Sequence, residues 1–365
     1  MRIAILTLPL HTNYGGILQA YALQTVLERM GHKVEVLDKR RREKTDLPLD
    51  VKIKRFILKY VLLKKINPLR EDIIYKRRKI ENKHTWKFAD KYIHRREISS
   101  FHEIKEGDYD AIIVGSDQVW RPHYFKNHYE SISDAFLAFA QNWKIKRVAY
   151  APSFGTNIWE YSDEDTKECA HLLKKFNYIS IREISGIELC KKYFNINALH
   201  VLDPTLLLKK DDYIKLFKCQ KTQKRTGILC YFLDISNDKK ALLTKLEKEL
   251  KLNSFTVNTR IEDCSYDIID TQPPVEEWLK GFYDCDYVVT DSFHACIFSI
   301  IFNKPFIVYK NEKRGTTRIK SLLESLNLDA IHHNNNTIKP SILTTKKIDL
   351  YNKNSIHLLN KILQS

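Results

Sequence analysis

None of the seven cysteines belongs to a C-x-x-C pair, and their number is odd. Both facts argue against a zinc knuckle or a disulfide framework and leave free thiols in a reducing compartment as the simple account. No uncharged apolar run reaches the length of a membrane-spanning helix. The apolar start Met1–Leu10 is too short for a signal peptide, and no small-residue cleavage site follows it. The expected location is therefore cytoplasmic. No internal repeat is evident, and no RRM, helix-turn-helix or zinc-finger pattern is present, so no nucleic-acid partner is expected. There is neither a G-x-G-x-x-G fingerprint nor a P-loop.

What is there suffices for a large folded protein. The 365 residues are 43% hydrophobic and 11% aromatic, enough to bury a real core in two domains or one large one. Lys and Arg number 61 against 45 Asp and Glu, a net charge of +16, which implies an anionic partner. Most of that excess is local. Residues 39–87 hold 18 basic and 6 acidic side chains, and residues 51–70 hold no acid at all. Drawn as a helix, Ile53, Phe56, Ile57, Tyr60 and Val61 share one face, with Lys52, Arg55 and Lys59 on another. Such a basic amphipathic helix either lies on an anionic membrane or packs on its own domain.

Elsewhere short apolar runs alternate with helical patterns. Arg2–Leu8 predicts a strand, His11–Gly16 a loop, Ile17–Met30 a helix closed by Gly31, and Lys33–Leu37 a second strand. This opening favours a parallel sheet. Strands are also predicted at 109–114, 147–151, 178–181 and 200–202, and a second series at 227–233, 255–257, 287–290 and 305–309. The expected organisation is a Rossmann-like half over 1–208 with a basic helical insertion at about 39–100, a second over 209–345, and a C-terminal helix over 346–365. Ligands of open α/β sheets bind beyond the carboxyl ends of the strands, and four loops stand there.

In Asn13-Tyr14-Gly15-Gly16, two glycines allow close backbone approach and the following helix offers free amides, which suits a phosphate or carboxylate. A plain strand-to-helix turn is the alternative. In Gly115-Ser116-Asp117-Gln118, Asp117 can accept from a sugar hydroxyl or act as a base; the alternative is a turn or N-cap aspartate. Arg182, at the end of a predicted strand, suits bidentate binding of an anion, unless it pairs with Glu183 or another acid. In Asp291-Ser292-Phe293-His294, an imidazole stands at a helix start, and imidazole exchanges protons near neutral pH; a structural histidine is the alternative. Arg314 and Arg318 form a further cationic cluster at a helix start. The adjacent His332 and His333 do not converge on one ion without partners, so no metal site is predicted.

Taken together, these residues resemble the polysaccharide pyruvyl transferase family. The resemblance rests on Asn13–Tyr21 (NYGGILQAY), Gly115–Trp120 (GSDQVW), Ser180–Glu183 (SIRE), Val201–Thr205 (VLDPT), and Asp291–His294 (DSFH) followed by an apolar helix and Pro305-Phe306. It does not cover the basic stretch from about 40 to 100. It implies two Rossmann-like halves around a cleft, similar to GT-B glycosyltransferases. It also implies the chemistry: pyruvate moves from phosphoenolpyruvate, the donor substrate and the one small molecule required beyond the acceptor, to a hexose of a surface-glycan precursor. The product is commonly a ketal bridging O4 and O6.

The implied roles are His294 as acid, Asp117 beside the acceptor sugar with Gln118, and Arg182 as donor-binding arginine. Ser292 stands where relatives often carry another arginine. Arg318 is the expected substitute, and Asn13, Tyr14, Gly15 and Gly16 complete the expected donor site. The acceptor would be lipid-linked, with the 39–87 segment holding the enzyme at the inner face of the membrane. Two rival readings compete. A nucleotide-sugar GT-B glycosyltransferase needs a ribose-binding acid, for which Glu324 is the candidate. A non-catalytic basic protein would bind membrane or nucleic acid through its charge.

Overall fold

The computed structural model describes residues 1–39, 49–60, 78–219, 223–257, 271–309, 317–328 and 338–364. Two parallel sheets organise them. The larger contains β1 (Arg2–Leu6), β2 (Lys33–Asp38), β3 (Arg95–Glu97), β4 (Ala111–Val114), β5 (Lys146–Ala149), β6 (Tyr178–Ile181) and β7 (Leu199–His200), in the spatial order β3-β2-β1-β4-β5-β6-β7. The smaller contains β8 (Ile228–Tyr231), β9 (Ser254–Phe255), β10 (Tyr287–Thr290) and β11 (Phe306–Val308), in the order β11-β10-β8-β9. Every pairing within them is parallel. The α/β architecture with two Rossmann-like halves, GT-B-like in its layout, follows from these orders.

β4 and β10 are buried along their whole length, as central parallel strands covered on both faces must be. In both sheets the strand order reverses at one point. In the first it lies between β1 and β4, and in the second between β8 and β10. Loops diverge at such a point and leave room for a ligand beyond the strand ends. Asn13–Gly16 and Gly115–Gln118 follow β1 and β4, and Asp291–His294 follows β10.

One apolar cluster joins the halves. It runs from Ile3 and Ile5 through the helix Tyr14–Arg29 and Leu206–Leu208 to Trp278, Phe282 and Phe298. Trp278 packs on Phe282 at 4.5 Å and on Phe298 at 5.1 Å. Rings of this size contribute roughly 1.5–3 kcal/mol each by burial. A second cluster covers the other face of the large sheet, and a third, smaller one lies under β8 and β10. The helix Lys210–Phe217 packs on Val275–Asp284. The last helix returns to the first half: Lys146 Nζ donates to the carbonyls of Ile362 and Leu363, and Asn352 to that of Leu206.

Several boundaries differ from expectation. The first helix begins at Tyr14, not Ile17, because the Asn13 side chain accepts from the Gly16 amide and caps it. Gly15 and Gly16 thus belong to its first turn. Residues 95–97 of the expected insertion are the edge strand β3, paired with β2, and the helix Lys83–Tyr92 packs on Tyr14–Arg29. The last helix starts at Ile342. In the basic stretch the helix Leu49–Tyr60 is present, whereas 40–48 and 61–77 lie outside the described residues. So do Arg314 and the pair His332-His333. The six described cysteines are all free.

Candidate functional site

The strand ends of the two halves meet where Gly15 faces His294. A Cβ built on Gly15 would stand 1.9 Å from His294 Nδ1, so only glycine allows the imidazole to lie there. His294 occupies the first turn of the helix Phe293–Ile301 and is 7% exposed. It does not cap that helix; Ser292 is the N-cap residue. Ser292 is buried, and its amide donates to Thr290 Oγ1. The loop is set from below by Asp291, whose carboxylate accepts from Lys239 Nζ at 2.7 Å and from the Leu233 amide at 2.7 Å. This buried pair ties the end of β10 to the loop after β8.

His294 Nε2 faces Asp203 Oδ2 at 3.7 Å. Asp203 is fully enclosed. Its Oδ1 accepts from the Thr205 amide and hydroxyl, and its Oδ2 from Ser116 Oγ at 3.1 Å and Arg182 Nη1 at 2.6 Å. Burial alone would raise its pKa. The His294 ring, the Arg182 guanidinium and the Thr205 amide outweigh burial and hold it well below the usual carboxylate range.

Arg182 therefore pairs closely with Asp203, while Glu183 stands farther off, its Oε2 4.0 Å from Arg182 Nε. Glu183 holds the loop after β5 instead, its Oε1 accepting from Ser153 Oγ and from the amides of Phe154 and Gly155. Arg182 Nε and Nη2 are buried and make no hydrogen bond. The Arg182 guanidinium lies over the Phe293 ring at 4.6 Å, and that of Arg318 reaches the same ring at 5.5 Å. Burial, then the like charge of Arg182, lower the Arg318 pKa to about 10. Two guanidiniums thus share one desolvated place beside the histidine. An anion with two acidic groups fits that charge and those open donors.

Asp117 closes the other side. Its φ is +73°, a left-handed conformation that a non-glycine residue adopts at a cost of roughly 1–3 kcal/mol, characteristic of functional sites. Its Oδ2 accepts from Asn13 Nδ2 at 3.2 Å and its Oδ1 from the Gln118 amide. Gly16 lies against this pair; a Cβ there would sit 3.1 Å from Asp117 Oδ2. Gln118 Oε1 accepts from Arg121 and fills the space over Gly155. Tyr14 is directed elsewhere: its ring stacks on Trp278 and its hydroxyl donates to the Pro273 carbonyl. It is part of the joint between halves. Asp203, Ser116, Phe293 and Glu183 all lie inside the motifs that carry the family resemblance, yet nothing in their spacing singles them out.

In this two-half α/β protein two buried arginines, a histidine and an aspartate come together beyond the strand ends, a concentration of positive charge suited to an anion. The profile of the family described as polysaccharide pyruvyl transferase matches residues 13–313, and the chain belongs to that family. No curated protein sequence matches it. Among solved structures it is similar to the UDP-GlcNAc 2-epimerase of Neisseria meningitidis (10% identity, 99% of this chain and 100% of that one, TM-score 0.48). It is also similar to the Methanocaldococcus jannaschii UDP-GlcNAc 2-epimerase (12% identity, 99% and 100%, TM-score 0.45) and the E. coli heptosyltransferase WaaC (10% identity, 84% and 87%, TM-score 0.35).

Proposed function

We propose that this transferase moves pyruvate from phosphoenolpyruvate onto a hexose of a surface-polysaccharide precursor as a 4,6-ketal. The observation that carries this reading is the buried Arg182, with its Nε and Nη2 nitrogens open, beside Arg318 and next to His294. A desolvated guanidinium with unmatched donors is costly unless a ligand completes it. Phosphoenolpyruvate offers a carboxylate and a phosphate for two arginines.

In the proposed sequence His294 gives a proton to the methylene carbon as a sugar hydroxyl adds to C2. The hydroxyl proton passes to Asp117. Phosphate then leaves with the C–O bonding pair, aided by the arginines, and the second hydroxyl closes the ketal. The phosphate group takes up the second hydroxyl proton, so no oxidant or reductant is needed. With Ser292 in place of a third arginine, Arg318 supplies charge to the donor. Asn13, Gly15 and Gly16 bound the donor and hold Asp117 and His294 in place, and Gln118 lies on the acceptor side.

We place the acceptor on a lipid carrier and the enzyme peripherally at the inner face of the membrane. The support is the helix Leu49–Tyr60, on which Ile53, Phe56 and Ile57 are 51%, 41% and 48% exposed within the basic segment. Among the described residues no helix is long and apolar enough to cross a membrane. Glu324, the candidate acid of the nucleotide-sugar reading, lies on the surface of its helix 3.6 Å from Lys320.

The test is phosphate release from phosphoenolpyruvate with galactosides and mannosides, free and lipid-linked, by wild type and His294→Ala. Sugar-dependent release lost in the variant supports the reading. Stabilisation by UDP or GDP, with no release for any sugar, overturns it.

A further inference from the structure

We infer that Asp203 is the positioning residue of His294, fixing its proton on Nε2 so that Nδ1 is the atom that exchanges a proton with the substrate. The proton-exchange role rests on the reaction proposed above; the assignment of the proton does not. His294 Nε2 is sealed from water and makes no hydrogen bond, and the carboxylate oxygen Oδ2 of Asp203 faces it at 3.7 Å. Contacts of this kind are often long in ligand-free sites and tighten in the reacting complex.

The carboxylate cannot turn away. It caps the turn Pro204–Leu207 through the Thr205 amide and hydroxyl. That turn is itself wedged beneath the helix Tyr14–Arg29 and the C-terminal helix. Arg182 and Ser116 hold the same Oδ2 that faces the histidine. The ionised form is the one these donors favour, and an ionised carboxylate only accepts. The ring nitrogen opposite it must then donate. Nδ1 is left on the Gly15 side, where the absent Cβ provides its space. During proton transfer the Nδ1–H bond breaks and the C–H bond of the new methyl group forms. The imidazole stays bound to Asp203 through Nε2–H. Asp203 also links the halves: Arg182 belongs to the first, His294 to the second, and one oxygen faces both.

The experiment is a ¹⁵N spectrum of histidine-labelled full-length protein at a pH where the ring is neutral, with His294 located by its disappearance in His294→Gln. The expected wild-type signature is a single neutral tautomer with the proton on Nε2. A wild-type ring carrying its proton on Nδ1 overturns the inference without any variant. In Asp203→Asn, Thr205 retains the amide oxygen and the NH₂ faces His294, so the tautomer should change to Nδ1–H. In Asp203→Ala the ring should show both forms. An unchanged Nε2–H tautomer in both folded variants also overturns it. With phosphoenolpyruvate and an acceptor, Asp203→Asn should lower kcat by about 10²-fold. Absence of wild-type turnover would count against pyruvyl transfer alone, since the tautomer is read without a reaction.

Discussion

Gly15 and His294 belong to different halves of the molecule and touch so closely that a single methyl group on Gly15 would overlap the imidazole ring. This contact fixes where the histidine stands relative to the first sheet. Gly15→Ala should improve the local helix propensity, since alanine outranks glycine in a helical turn, and still damage the site. The expected result is a folded protein with unchanged far-UV circular dichroism and a kcat lowered by about 10²-fold, the scale of a displacement of roughly 1 Å. Gly16→Ala meets only the ends of Asn13 and Asp117, at 3.2 and 3.1 Å, and should cost less. Equal activity in Gly15→Ala and wild type would show that the imidazole position is immaterial to turnover.

Asp117 combines a left-handed backbone with a carboxylate held by Asn13. Asparagine tolerates that backbone region well, so Asp117→Asn should leave the melting temperature within a few degrees of wild type. Loss of the base should lower kcat by about 10²–10⁴-fold while donor-induced stabilisation persists. A KM effect on phosphoenolpyruvate without a kcat effect would assign Asp117 to the donor instead of the acceptor.

Much of this site is legible in the chain itself. The residues after β1, β4, β6 and β10 are short motifs at the ends of apolar runs, and parallel strands send all such ends to one edge. What is not legible depends on docking of the halves. Asp203 precedes a proline and suggests a boundary; its meeting with His294, 91 positions later in the chain, arises only when the two sheets face each other. The same docking turns Tyr14 into a packing residue against Trp278, although its place beside two glycines suggests ligand contact. Lys239 is one of four lysines in the helix Asn237–Leu250, and only the fold shows that it is buried against Asp291.

Arg318 provides a test of charge stored for a ligand. Its pKa is lowered to about 10, first by burial and then by Arg182. Between that value and the usual arginine range the unfolded chain carries the extra proton, so this group's contribution to stability rises with pH there. At neutral pH it is a buried cation that the ligand-free protein tolerates at a cost. Arg318→Met should therefore raise the ligand-free melting temperature by a few degrees while abolishing the increase produced by phosphoenolpyruvate. Thermal melts with and without the donor measure both. A lower melting temperature with an intact donor effect would make Arg318 a packing partner of Phe293 and nothing more.

The helix Leu49–Tyr60 makes a separate claim, about where the reaction happens. Its exposed Ile53, Phe56 and Ile57 lie in a segment whose basic residues outnumber its acids threefold. Apolar insertion and attraction to anionic lipid act together on such a helix, the latter by about 1 kcal/mol per basic residue near the surface. Wild type is expected to bind phosphatidylglycerol vesicles more strongly than phosphatidylcholine vesicles, and replacing all three apolar residues by serine should reduce sedimentation with the former. Raising the salt should weaken wild-type binding, because the electrostatic part is screened. Turnover of a soluble acceptor should be the same in both proteins, whereas turnover of a lipid-linked acceptor in vesicles should fall in the variant. Equal vesicle binding by variant and wild type would mean that the apolar face takes no part in membrane contact.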